Sequence, residues 1–207
     1  MPLILLLRHA ENEYTRKGRL AGRLPDVHLN QRGKEQADLL AQILKDVPLK
    51  AIYSSPLTRA IETAQPLAKA HQLEIIVHEG LIELDYGEWQ GKSLKGLRRL
   101  KVWKTVQYVP SLMHFPQGET IVEAQFRITQ AIRQIASQHE QGDWIACVSH
   151  ADPIKLTIAH YLGMPLDTYQ RINISLASIT LLSLDHQAAR LLAINYSPAM
   201  FDGLGKK

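Results

Sequence analysis

Arg8-His9 and Ser149-His150 each stand at the end of an apolar run, Leu3-Ile4-Leu5-Leu6-Leu7 and Trp144-Ile145-Ala146-Cys147-Val148. Runs of this kind read as strands buried on both faces. In an open α/β sheet, reactive groups collect just beyond the carboxyl ends of the strands, so His9 and His150 are expected in one crevice despite their separation in sequence. Arg8 brings a planar fork of donors that matches phosphoryl or carboxylate oxygens, and neutral imidazole is a competent nucleophile near neutral pH. Arg59, within Ser54-Ser55-Pro56-Leu57-Thr58-Arg59-Ala60, is a second guanidinium in the first turn of a helix. A cation there opposes the helix dipole and calls for an anion to offset it; read alone, it is a solvated helix residue. Glu83-Leu84-Asp85-Tyr86-Gly87-Glu88 then supplies three carboxylates in six residues. An acid that protonates a departing alkoxide is worth about 10²–10⁴ in rate, and Glu83 is the first choice for it, although composition leaves Asp85 and Glu88 open.

The elements that must hold these groups are legible in outline. Strands are predicted at 3–7, 51–53, 74–78 and 144–148, and the alternating segments 174–183 and 190–195, joined by an Asp185-His186-Gln187 turn, should pair as a hairpin at the sheet edge. Residues 8–29 read as a long loop carrying Gly18, Gly22, Pro25 and Asp26, a length that usually signals function. Asn30 should cap a helix to about Lys45 whose inner face is Ala37, Leu40, Ala41 and Leu44. Ser54-Ser55-Pro56 supplies a capping hydroxyl and a first-turn proline, so the next helix should begin near Pro56 and be kinked or divided by Pro66. Residues 83–117 are irregular, with a weakly helical basic piece at 93–104 and a proline-marked loop at 110–116. Thr120 with Glu123 forms a capping box for a helix to about Gln141 closed by Gly142, and Asp152-Pro153 should cap another ending at Gly163. With no repeat, low-complexity tract or linker, residues 1–207 are expected to form a single domain. Its fold class is a three-layer α/β/α sandwich around a mostly parallel sheet with an antiparallel edge strand, plus a variable cap segment at 92–118 and a loose tail at 203–207.

Bulk properties narrow the function classes. At 207 residues, 45% hydrophobic and 21% charged, the chain can fill one core and lacks the composition of a disordered segment. Its single cysteine, Cys147, excludes an intramolecular disulfide and a cysteine-based metal site, and within an apolar run it reads as a small buried hydrophobe. The start lacks a basic n-region and its greasy stretch is too short for a signal peptide or a membrane span, so a cytoplasmic location is expected. A net charge of +4 suits an anionic substrate and is too small to argue for nucleic acid. Between 92 and 104, Leu94, Leu97, Leu100 and Trp103 recur at helical spacing among basic residues, the pattern of an amphipathic cover with a solvated basic face. The sharper alternative has Arg98 or Arg99 overhang the pocket and bind a second anionic group.

Taken in order, Arg8-His9-Ala10-Glu11, Ser54-Ser55-Pro-Leu-Thr-Arg59-Ala-Ile-Glu-Thr-Ala, Glu83-Leu-Asp-Tyr-Gly-Glu-Trp-Gln-Gly91, Pro116-Gln-Gly-Glu119-Thr and Val148-Ser-His150 resemble the histidine phosphatase superfamily, the phosphoglycerate mutase-like proteins. The stretch from 83 to 183 is most similar to a bacterial phosphomutase/phosphatase subgroup. The resemblance implies a phosphohistidine mechanism on a small phosphorylated metabolite. His9 would attack phosphorus, Arg8, Arg59 and His150 would hold the equatorial oxygens, and Glu83 would serve as general acid and then base. No metal and no other cofactor is implied, and the nine histidines show no metal-ligand spacing. Partners other than substrate, whether nucleic acid or membrane, are not expected, and a monomer or homodimer would suffice. Hydrolysis is favoured over a mutase reaction at the same site because the Glu83 to His150 interval is short; loss of chemistry, leaving a phosphate-binding module, is the third reading. This chain departs from the family pattern at Ala10, where glycine is usual, and at Thr15, where asparagine is common and a hydroxyl could still donate to phosphate. Arg19 is followed by Leu20 and Ala21 in place of a phosphate-facing glutamine, leaving Asn12 or Arg23 to compensate.

Overall fold

The computed structural model describes residues 1–184 and 188–197. The predicted turn at 185–187 and the tail at 203–207 lie outside the described residues. In chain order the elements are β1 (Leu3–Arg8), α1 (Glu13–Arg16), α2 (Gln31–Leu44), β2 (Leu49–Ser54), α3 (Thr58–His71), β3 (Ile75–Val77), α4 (Leu94–Leu97), α5 (Trp103–Tyr108), α6 (Ile121–Ser137), β4 (Trp144–Ser149), α7 (Ala151–Tyr161), β5 (Ile179–Leu184) and β6 (Ala189–Tyr196). The strands form one sheet in the order β3-β2-β4-β1-β5-β6. Its first four strands are parallel, and β5 runs antiparallel to both β1 and β6, so the predicted edge hairpin is present.

The period-two alternation of buried strands divides the core into two layers. Leu5 and Leu7 of β1, with Ile52, Ala146 and Val148, pack on α2 and α3 through Ala37, Leu40, Ala41, Ala60, Ala64 and Leu67. Ile4 and Leu6, with Tyr53, Ile145 and Cys147, face α6, α7 and the irregular segment through Ile128, Ile132, Ile154, Leu84, Trp89 and Phe115. Burial raises the Cys147 thiol far above its ordinary pKa, consistent with an inert apolar role.

Local signals mostly end the elements where they should. The Asn30 side chain accepts from the Gly33 amide at 2.8 Å, and the Thr120–Glu123 capping box opens α6. Gly33 is required because a Cβ there would collide with the Glu11 carbonyl, which lets α2 start directly against the loop after His9. Several features differ from expectation. The Pro66 position does not divide α3; half-buried Pro66 sits between exposed Gln65 and buried Leu67, and the carbonyl it frees, four residues back, is that of half-buried Glu62, where water can serve it. Helix α6 stops at Ser137, before the turn in which Asp143 accepts from the Glu140 amide at 2.9 Å. Finally, α3 begins at Thr58 rather than Pro56, and α7 begins at Ala151, with His150 rather than Asp152 at its N-cap position and no side-chain cap. Ser55 and Asp152 have other partners, described below.

Candidate active site

Strand register assembles the site. Arg8 pairs with Ser149 across β1 and β4, and Ser54 of β2 pairs with Val148, so three parallel strands end level with one another. The main chain continues that alignment for one more residue: the His9 amide donates to Ser149 O at 2.9 Å and the Ser55 amide to Val148 O at 2.9 Å. His9, Ser55 and His150 therefore sit side by side at the carboxyl edge, the His9 and His150 ring centroids 5.1 Å apart. From the first turn of α3, Arg59 reaches the same place and lies 3.3 Å from His150 Nδ1.

Hydrogen bonds fix the chemistry of both rings. His9 Nδ1 lies 2.8 Å from the Ala10 carbonyl, which can only accept, so Nδ1 carries the proton and Nε2 keeps its lone pair. Burial, then the charges of Arg59 and Arg8, hold the His9 pKa well below its ordinary value, so the ring is neutral. Burial and the same arginines depress His150 as well. Arg59 Nη2 also donates to Gly22 O at 2.6 Å, and Arg8 Nη1 to Ile174 O at 2.6 Å.

The two guanidiniums are the main evidence for an anion. Arg59 is 1% exposed and lowered by burial to a pKa of about 10, still charged at neutral pH. Among the described residues neither Arg8 nor Arg59 has a carboxylate within ion-pair distance. Arg8 Nε, Arg59 Nε and Arg59 Nη1 are buried donors with no acceptor, as is Asn12 Nδ2 three residues past His9. Buried, uncompensated donors of this kind are costly unless a ligand satisfies them.

Glu83 is buried, and its Oε1 accepts from the Leu84 amide at 2.9 Å. Burial first, then the negative charge of Asp152, raise its pKa to about 7 against the opposing pull of Arg59 and Arg8. Asp152, which the sequence suggested as a helix cap, instead accepts from Tyr86 Oη at 2.7 Å and pairs with Lys155 at 3.2 Å. Beneath Glu83, Arg127 donates to the carbonyls of Gly80 and Ile82 at 2.9 Å each, while Arg23 Nε donates to Glu83 O at 2.9 Å. Glu119 joins the two arginines, at 2.8 Å and 2.7 Å, and accepts from the Asp85 amide. The Pro116–Thr120 motif thus secures the backbone that carries Glu83. Gly87, at φ +49°, lets the two loops meet, since a Cβ would strike Pro116 O.

Other expected site residues fall elsewhere. The Thr15 hydroxyl donates to Asn12 O at 2.9 Å and accepts from the Asn12 amide at 3.1 Å, closing the cap of α1, so its one proton is already committed. Arg19 is exposed and its Nε donates to Gly91 O at 2.8 Å, tying the first loop to the cap segment. Arg23 spends its guanidinium on Glu83 O, Asp85 and Glu119, leaving Asn12 as the spare donor. Arg98 and Arg99 are exposed at the end of α4, whose start is fastened to the first loop by Leu94 N to Gly18 O at 2.8 Å. Ser55, Asp152 and the Arg23–Glu119–Arg127 clamp carry no residue-type signal for their roles, because each acts through a neighbour distant in sequence.

Comparison with known proteins agrees with this geometry. The chain is 32% identical over 197 residues to phosphoserine phosphatase 1 of Hydrogenobacter thermophilus, covering 94% of this chain and 92% of that one. It is 27% identical over 195 residues to the 2,3-bisphosphoglycerate-dependent phosphoglycerate mutase of Thermoplasma acidophilum, covering 94% and 92%. The structure of an Entamoeba histolytica phosphoserine phosphatase in complex with 3-phosphoglyceric acid superposes with a TM-score of 0.84 at 29% identity, over 96% of this chain and 98% of that one. Residues 4–197 match the family model described as "Histidine phosphatase superfamily (branch 1)", and with the two histidines, two arginines and buried glutamate gathered at one sheet edge, the chain belongs to that superfamily.

Proposed function

We propose that the protein hydrolyses small phosphomonoesters through a phosphohistidine formed on His9. The observation that carries the proposal is the set of unsatisfied guanidinium donors on Arg8 and Arg59 beside the free lone pair of His9 Nε2. Phosphoryl transfer asks a protein mainly to position the group and neutralise its equatorial oxygens. In this reading His9 Nε2 attacks phosphorus in line, Arg8, Arg59 and His150 hold the oxygens, and Glu83 gives its proton to the departing alkoxide. The Glu83 carboxylate then takes a proton from the water that attacks the phosphohistidine, which returns His9 with its lone pair and releases orthophosphate.

Substrates with a carboxylate near the phosphoester, such as phosphoserine or a phosphoglycerate, are the first candidates, following the relatives' names. A panel of such esters, with and without a bisphosphoglycerate primer, separates hydrolysis from mutase turnover: release of orthophosphate without primer is the expected result. Because guanidiniums supply the neutralising charge, turnover is expected to persist in excess chelator and to be blocked by vanadate, whose trigonal bipyramidal form mimics the transferring group. Loss of activity on chelation would contradict this reading.

The Glu83 carboxyl, with its pKa raised to about 7, is protonated below that pH and able to donate. For an alkyl phosphate, kcat/KM should therefore fall as pH rises through about 7. In Glu83→Gln that limb should flatten and the rate drop by about 10²–10⁴, with a smaller loss on an aryl phosphate whose leaving group departs without a proton. A profile unchanged by the substitution would assign the acid to another group.

Arg98 and Arg99 are exposed, as both a solvated basic face and a substrate contact require. If they overhang the pocket, replacing both with alanine should raise KM for a bisphosphate severalfold more than for a monoanionic aryl phosphate. Equal changes would return them to a solvated surface.

A further inference from the structure

We infer that Ser55 is a positioning residue that lets His150 change from hydrogen-bond acceptor to donor when a phosphoryl group enters. The inference rests on the phosphatase reading above and extends it to a residue outside the reacting set.

The geometry leaves little freedom. Arg59 Nη2 lies 3.3 Å from His150 Nδ1, and a guanidinium has no lone pair to offer, so in this arrangement Nδ1 accepts and the ring proton is on Nε2. That Nε2–H donates to Ser55 Oγ at 2.7 Å. A phosphoryl dianion between the two histidines presents acceptors only. For His150 to hold one of its oxygens from Nδ1, the proton must be on Nδ1, and Nε2 becomes a bare acceptor in a fully buried place. Such an orphan is costly unless a donor meets it.

Ser55 Oγ suits both states, because a hydroxyl accepts in one rotamer and donates after turning about its Cβ–Oγ bond. Its frame is fixed independently of the ring: the Ser55 amide is tied to Val148 O at 2.9 Å, and the Ser54 hydroxyl donates to Ser55 O at 2.9 Å. His150 carries one proton before and after. Nε2 gives up its proton and Nδ1 takes one by exchange with solvent, and the ligand selects the tautomer that can bind it. The same hydroxyl explains the late start of α3: it lies 3.4 Å from the Leu57 amide, too long for a strong cap, and is committed to the histidine instead.

The test is the tautomeric state of His150, read from two-bond proton–nitrogen correlations of ¹⁵N-histidine-labelled protein, with His150→Gln used to assign the signals. Free enzyme should show the proton on Nε2, and the orthovanadate complex should show it on Nδ1. In Ser55→Ala the vanadate complex should lose that preference, and kcat should fall about tenfold at nearly constant KM, the effect of one lost buried hydrogen bond, with Ser55→Thr recovering most of it. An Nε2–H tautomer in the wild-type complex, or an imidazolium protonated on both nitrogens, would overturn the inference, since Ser55 would then be an acceptor throughout. Both results come from wild-type protein, and retention of the Nδ1–H preference in the vanadate complex of Ser55→Ala would equally overturn the role given to Ser55. If vanadate moves no histidine signal and inhibits nothing, the phosphatase reading fails first and this inference with it.

Discussion

Replacing His9 with alanine is expected to reduce phosphoester turnover by at least about 10⁴-fold, the scale on which removal of a nucleophile acts while the surrounding binding groups remain. The effect should be large because nothing nearby can substitute. His150, the other imidazole at the site, has its Nδ1 against Arg59 and its Nε2 against Ser55. Cys147, the single thiol, is buried on the opposite face of β4 from the helices α2 and α3 and held protonated. Wild-type enzyme quenched during turnover should yield acid-labile phosphate on the protein, and His9→Ala should yield none. The variant should still bind vanadate, because Arg8 and Arg59 are untouched. Activity that survives the substitution would remove the phosphohistidine route and leave the anion site as a binding site alone.

Arg59→Ala should lower kcat/KM by about 10³-fold or more, since one guanidinium aimed at the transferring group is worth about 10³–10⁵ in rate. Its consequences for stability should run the other way. Arg59 is buried with no carboxylate in ion-pair distance among the described residues, so folding bears the cost of holding that charge out of water. The variant's thermal midpoint without ligand should therefore stay near that of wild type, whereas the stabilisation that vanadate gives the wild type should be lost. Arg59→Lys should recover only part of the activity, because an ammonium cannot reach Gly22 O and a phosphoryl oxygen with the fixed geometry of a fork. A large loss of stability in Arg59→Ala with activity retained in the surviving fraction would show that the side chain serves the fold rather than the ligand. The expected pair of results would set catalytic readiness against folding stability at this position, a common arrangement where a site is built to receive charge.

Much of this protein was legible in one dimension because its strongest signals are local. Five-residue apolar runs specify buried strands, Asn30 and the Thr120–Glu123 pair specify helix starts, and a histidine at the end of each of two such strands specifies a place at the carboxyl edge. The candidates His9, His150, Arg8 and Arg59 come from those positions, and Glu83 is preferred over Asp85 and Glu88 through the family resemblance of the ordered motifs. Tertiary structure decided everything that depends on a partner far along the chain. Only the level register of β1, β2 and β4 puts Ser55 against His150, so a hydroxyl that reads as a helix cap becomes a histidine's partner. Asp152 likewise reads as a cap and is claimed by Tyr86, and the threonine and arginines that read as phosphate ligands, Thr15, Arg19 and Arg23, spend their donors on nearby backbone and carboxylates. The physical reason is the same in each case: residue type fixes which hydrogen bonds a side chain can make, but the folded neighbours decide which of them is made.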